Sequence, residues 1–192
     1  SGIDHLAEIV HHANSPACPR RMLELNPAFG CEFRCAYCGI YALEREYFGE
    51  VIVYDDFPSY LEKWLKENRE LVPDHYFYFS AKTDCLQPAL VESGITLEIL
   101  NVLKRHGAKY FLVTKGGLPT REIRDALVEA REINQVILSA TMPNEEMREA
   151  MEPGAAPISE RLAFAEFCVA NGIFVTASCC PVLPVGDRTY LK

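Results

Sequence analysis

Short apolar runs alternate along the chain with stretches whose apolar residues recur every three or four positions. The runs are Met22 to Leu25, His75 to Ser80, Tyr110 to Thr114, Val136 to Ala140 and Ile173 to Ala177. Their β-branched and aromatic content, and the turn residues beside them, predict five strands. Between them, Ser59 to Leu71 places Leu61, Trp64 and Leu65 on one face behind Pro58, which predicts a helix. Thr96 to His106 is a second, with Gly107 as its stop signal, and Thr120 to about Ile133 a third. The third carries one stripe of Ile123, Ala126, Leu127, Ala130 and Ile133. A short helix is expected after Pro143, and another from Ile158 to Ala170, ended by Asn171-Gly172.

Strand and helix alternating at this spacing imply an α/β fold, with parallel strands joined by right-handed crossovers. Short continuous apolar strands fit a sheet covered on both faces. The active site of such a fold lies beyond the carboxyl ends of its strands. The unusual polar groups of this sequence fall there: three cysteines after the first strand, Ser80 to Asp84 after the second, Lys115 after the third. Ser139 and Thr141 follow near the end of the fourth, and Cys179-Cys180-Pro181 after the fifth. The sequence runs out after the fifth strand and its loop, so the expected architecture is a partial barrel without its last βα unit.

Composition narrows the chemistry. The net charge of −8 argues against a general nucleic-acid binder, which needs clustered Lys and Arg. No window has the roughly 18–20 apolar residues of a membrane span, and no secretory segment opens the chain. Three of the eight cysteines crowd together while the other five are scattered, which points to a metal site in a reducing, cytoplasmic compartment and not to a disulfide framework. Cys168, on the apolar side of its helix, reads as core. His11-His12 reads as an exposed polar pair, since no third ligand is spaced with it.

The crowded segment is Gly30-Cys31-Glu-Phe-Arg-Cys35-Ala-Tyr37-Cys38-Gly39, a C-x3-C-x2-C run. Thiolates are the usual ligands of iron–sulfur clusters. Three on one loop can hold three corners of a 4Fe–4S cube and leave the fourth iron open, as catalytic metal sites require. Gly30 and Gly39 are expected to permit the tight backbone. Zinc is the rival, but structural zinc sites want four ligands in two pairs, and no second pair follows.

This C-x3-C-x-(aromatic)-C segment after a first strand resembles the signature of the radical SAM superfamily. The resemblance implies a partial (β/α)6 barrel that holds a 4Fe–4S cluster on Cys31, Cys35 and Cys38 and S-adenosylmethionine (SAM) at the open iron. It implies reductive cleavage of SAM to methionine and a 5′-deoxyadenosyl radical that abstracts hydrogen from a substrate. It also implies an electron donor of the flavodoxin or ferredoxin kind. Residues 21–192 would be the core and residues 1–20 an N-terminal extension.

Further segments resemble the spore photoproduct lyase-like branch: Asn26-Pro27 with Gly30, Thr83-Asp84-Cys-Leu-Gln87-Pro88, Val113-Thr114-Lys115, Ser139, and Glu152-Pro153-Gly154 with Arg161-Leu162-Ala163. By that resemblance Tyr37 packs near the SAM adenine and Lys115 pairs with the SAM carboxylate. Ser80, Thr83 and Ser139 offer hydrogen bonds to its methionine part, and the Thr83-Asp84 segment belongs to the same cofactor site. Glu152 and Arg161 are expected to form a structural ion pair. The lyases carry a hydrogen-donor cysteine after the second strand, and here that position is Ala81; Cys85 is close but does not match, and Cys180 is an alternative donor. The expectation is a radical SAM enzyme acting on a small molecule or peptide. Lyase-type DNA repair and a non-catalytic electron-transfer or scaffold module are the alternatives.

Overall fold

Five parallel strands lie side by side in sequence order, as a chain of right-handed strand–helix units dictates. They are β2 (Met22–Leu25), β5 (Tyr76–Phe79), β6 (Lys109–Thr114), β7 (Asn134–Ser139) and β8 (Phe174–Ser178). A sixth strand, β1 (Val10–His12), adds antiparallel to β2. The structure, a computed structural model, describes residues 10–12, 21–43 and 50–182, with only the backbone of 10–12. Cys18, the imidazoles of His11 and His12, and most of the expected 1–20 extension lie outside the described residues, as does everything after Val182. The part of that extension which is described belongs to the sheet.

The expected strands are all present within two residues of their ends. Helix bounds shift for local reasons. The 59–71 helix is α2 (Phe57–Glu67): Pro58 sits in its first turn, and the chain beyond Asn68 tightens into a 3₁₀ turn at Val72–Asp74 around Pro73. The 120–133 helix is α5 (Arg121–Glu129), capped by the Thr120 hydroxyl, which accepts from the Ile123 amide at 3.5 Å. α4 (Ile95–Arg105), α6 (Glu145–Met151) and α7 (Ile158–Ala170) match their expected positions. Not foreseen were α1 (Gly39–Leu43), α3 (Pro88–Glu92), and a small antiparallel ladder of β3 (Ala28–Phe29) with β4 (Ile52–Val53).

Burial alternates along the strands. Phe77, Phe79, Tyr110, Leu112, Val136 and Leu138 are buried in one core with Leu61, Leu65, Ile99, Leu103, Leu127 and Phe164 of the helices. The intervening residues, such as Tyr78, Phe111, Val113 and Ile137, are half-buried on the opposite face. The expectation of a sheet covered on both faces is therefore corrected: period-two alternation marks a sheet with helices on one side and a more open side facing inward. The last unit is the least covered, with Leu162, Val169 and Phe174 each more than half exposed.

Candidate active site

The cysteine loop, residues 30–38, runs from β3 into α1 across the carboxyl ends of the strands. Gly30 has φ 89° and Arg34 φ 50°, so two left-handed residues turn the loop. Gly39, by contrast, opens α1 with a negative φ and open space where a Cβ would stand, so the tight backbone does not need it.

Two segments clamp the loop from opposite sides. On one side, Gln87 Nε2 donates to the Gly30 carbonyl at 3.3 Å and its Oε1 accepts from the Glu32 amide at 3.0 Å. The Glu32 carboxylate in turn accepts from the Ala89 amide at 2.7 Å. On the other side, the Ala36 amide donates to the Met151 carbonyl at 2.8 Å and the Gly154 amide to the Phe33 carbonyl at 3.1 Å. The segments that marked the branch resemblance, Gln87-Pro88 and Glu152-Pro153-Gly154, are thus the mounts of the cysteine loop.

A cavity of about 160 Å³ opens between this loop and the strand ends. Cys31, Cys35, Cys38, Tyr37, Ser80, Thr83, Asp84, Lys115 and Ser139 all line it. Nine of the ten residues expected from sequence to hold the cluster, line the SAM site or donate hydrogen therefore meet at one place. The tenth, Cys180, is exposed beyond β8 and is not among the lining residues. Ala81 lines the cavity, whereas Cys85 is wholly buried in the core, as is Cys168. Phe33, Tyr78, Lys82 and Val113 complete the wall. None of the four was singled out as a site residue from sequence: Phe33 lies in the cysteine loop, Tyr78 in the second strand, and Lys82 and Val113 within or beside the segments that carry the branch resemblance.

Inside the cavity each group has a definite setting. Ser80 Oγ and Thr83 Oγ1 share a hydrogen bond. Asp84 is buried with its oxygens occupied by the protein itself: Oδ1 accepts from Thr114 Oγ1 at 2.7 Å and the Leu86 amide at 2.9 Å, and Oδ2 from the Lys115 amide at 2.8 Å. Burial pushes its carboxyl up, and those donors oppose the shift. The carboxylate thus fixes the backbone from which Lys115 projects. The Lys115 ammonium lies 5.6 Å from the centre of the Tyr37 ring, in cation–π range.

Burial raises the Cys31 thiol to about 12 and the Cys35 thiol to about 11, with Lys115 opposing the shift at Cys35. A buried thiol of this kind becomes a thiolate when a metal replaces its proton. Among the described residues no three Cys, His, Asp or Glu side chains close round a single ion. A cube takes each thiolate on its own iron, so three thiols spread over one cavity wall fit a cluster without needing that convergence.

The expected Glu152–Arg161 ion pair is present and sits directly behind the cavity. Arg161 Nη2 is 2.6 Å from Glu152 Oε2, with Glu152 0% and Arg161 5% exposed. The other oxygen of Glu152 accepts from the Tyr37 hydroxyl. Burial and that carboxylate push the Tyr37 phenol far up, so it remains protonated.

A partial α/β barrel carrying three thiols, a fixed lysine and a ring of hydroxyls at the mouth of its parallel strands defines the class. The sequence profile of the Radical SAM superfamily matches residues 25–190, and the chain belongs to that superfamily. Spore photoproduct lyase complexed with dinucleoside spore photoproduct has the same fold, with TM-score 0.68 and 17% identity over 91% of this chain and 49% of that one. A cysteine-to-serine mutant of the lyase gives TM-score 0.68 at 18% identity, over 92% of this chain and 50% of that one. A double mutant with bound AdoMet and dinucleoside spore photoproduct gives 0.64 at 18%, over 87% and 47%. The chain spans about half the length of these lyases. No curated protein matches it by sequence.

Proposed function

We propose that the chain holds a 4Fe–4S cluster on Cys31, Cys35 and Cys38, binds SAM beside it, and acts as a radical SAM enzyme on a small molecule or peptide. The observation that carries this reading is the meeting of the three thiols with Lys115, Ser80, Thr83 and Ser139 around one cavity in a member of the superfamily. When bound, the cluster supplies an electron that cleaves SAM to methionine and a 5′-deoxyadenosyl radical able to take hydrogen from a substrate.

The chain's own residues bind and orient. The Lys115 ammonium offers a fixed cation for the carboxylate of SAM, and Asp84 holds the lysine's backbone in place. Ser80, Thr83 and Ser139 offer hydroxyls to the amino-acid part of SAM, and Tyr37 presents its ring towards the adenine. The inward face of the sheet, half-buried at Tyr78, Phe111, Val113 and Ile137, leaves room for a substrate beside the cavity. In this reading residues 21–192 form the radical SAM core, and electrons come from a flavodoxin or ferredoxin.

Lyase-type DNA repair is the second reading, favoured by the fold likeness to structures holding a dinucleoside photoproduct. Ala81 in the cavity wall, where the branch resemblance places a hydrogen-donor cysteine, and the net charge of −8 both weigh against it.

Anaerobic reconstitution tests the reading. Wild-type protein should take up about four irons per chain and absorb in the visible, and Cys35→Ala should lose the cluster. A colourless protein carrying one zinc per chain would contradict it.

A further inference from the structure

Arg161 and Glu152 are among the few buried charges of the described residues, and their partners are not scattered. Arg161 Nε donates to the Ala156 carbonyl at 2.9 Å, Nη1 to the Ser139 carbonyl at 3.0 Å, and Nη2 to Glu152. The Ala156 amide donates to the Lys115 carbonyl at 3.0 Å. Glu152 accepts the Tyr37 hydroxyl. One guanidinium and one carboxylate therefore reach three walls of the cavity: the cysteine loop through Tyr37, the end of β6 through Lys115, and the end of β7 through Ser139.

A buried ion pair is weak evidence of stabilisation, because desolvation offsets most of the attraction and an apolar pair of equal volume often does as well. Its better-attested use is to fix one arrangement among several. Here the arrangement fixed is that of Tyr37. Its hydroxyl is tied to Glu152, and the face of the same ring lies under the Lys115 ammonium. The hydroxyl is held by a carboxylate 115 positions away in the chain, on the segment that also meets the cysteine loop through Gly154.

We propose that Glu152, locked by Arg161, is a positioning residue for the SAM site, holding the Tyr37 ring and through it the Lys115 ammonium in the orientation that receives SAM. The proposal rests on the SAM-binding reading above. It concerns no atom that touches the cluster and requires no proton or electron transfer by Glu152. Its effect is on how well the pocket is organised before the cofactor arrives.

The test compares wild type with Tyr37→Phe, which deletes the hydroxyl alone, and Glu152→Gln, which keeps the side chain's shape and removes its charge. Two readouts are taken: the SAM dissociation constant of the reconstituted protein at equal iron content, and amide hydrogen exchange at Ala36 and Cys38 in the cluster-free protein. The expected result is iron uptake as in wild type, SAM binding weaker by about tenfold in each variant, and loop exchange roughly fivefold faster. A structural ion pair alone would lower iron uptake and thermal stability together and leave SAM affinity per loaded site unchanged. Wild-type SAM affinity and wild-type exchange in Tyr37→Phe would overturn the proposal. If wild type itself binds no SAM, the functional reading fails, and unchanged exchange in the cluster-free variants is then the result that sinks the positioning link as well.

Discussion

At Gly154 an added Cβ would stand 2.1 Å from the Glu32 carbonyl oxygen and 2.8 Å from the Phe33 Cα. Both neighbours are backbone of the cysteine loop, so neither can swing aside. The Gly154 amide meanwhile donates to the Phe33 carbonyl. The residue lets two chain segments touch where the thiols must be presented, which gives the Glu-Pro-Gly motif a physical meaning. Gly154→Ala should destabilise the protein by about 1–3 kcal/mol through overpacking and lower iron uptake, read by denaturant unfolding and iron analysis. Wild-type stability with full iron content would show that the loop has slack the contacts do not suggest. The thiols add a second constraint at this scale. Burial raises Cys31 and Cys35, so in the proposed reading loading a cluster would release protons and be favoured as pH rises.

At the scale of elements, α2 and α4 are joined at Glu62. Its carboxylate accepts from His106 Nε2 at 3.0 Å, from Arg105, and from Lys66 at 3.0 Å. These partners, His106 first, lower its pKa from 4.5 to about 2. A carboxyl depressed in the folded state stabilises fully above its unfolded value, and that stabilisation is lost as pH falls from about 4.5 towards 2. Solvent screens the cluster, so its contribution is on the order of 1 kcal/mol. Glu62→Gln should therefore lower stability at pH 7 by about that amount and by progressively less below pH 4, measured by urea unfolding across pH. A constant difference at all pH values would refute the linkage.

The same scale shows what sequence could and could not convey. The five parallel strands and five of the helices were legible because each displays its period or is bounded by Pro, Gly or a capping residue. The two-residue ladder of β3 with β4 was not, since two residues have no period to read. Nor was β1, which pairs antiparallel at the edge of an otherwise parallel sheet. The site divides in the same way. Cys31, Cys35 and Cys38 announce themselves by spacing, and Lys115 and Ser139 by lying at strand ends. The clamps by Gln87 and Gly154, and the reach of Glu152 to Tyr37, depend on tertiary contacts between distant segments. Those residues were visible as motif letters but not as parts of a mechanism.

At the scale of the whole molecule, the charge of −8 and the open inward face of the sheet bear on the substrate. Among the described residues, no helix is long and apolar enough to cross a membrane. The described cavity wall offers two lysines, Lys82 and Lys115, and Lys115 is assigned to SAM in the proposed reading. Among the described residues of the wall, only Lys82 then remains as a cation that could face a phosphodiester backbone. Titration of fluorescent duplex DNA at low salt should give at most weak binding, with a shallow dependence on salt. Tight binding whose logarithm falls steeply with the logarithm of salt concentration would instead favour the repair reading.

The central claim is that this cavity cleaves SAM. Reconstituted protein, supplied anaerobically with SAM and a strong reductant, should form 5′-deoxyadenosine and methionine, quantified by liquid chromatography. Cys35→Ala, treated identically, should form none. A fully iron-loaded wild type that leaves SAM intact under these conditions would contradict the account and leave the non-catalytic electron-transfer or scaffold role in its place.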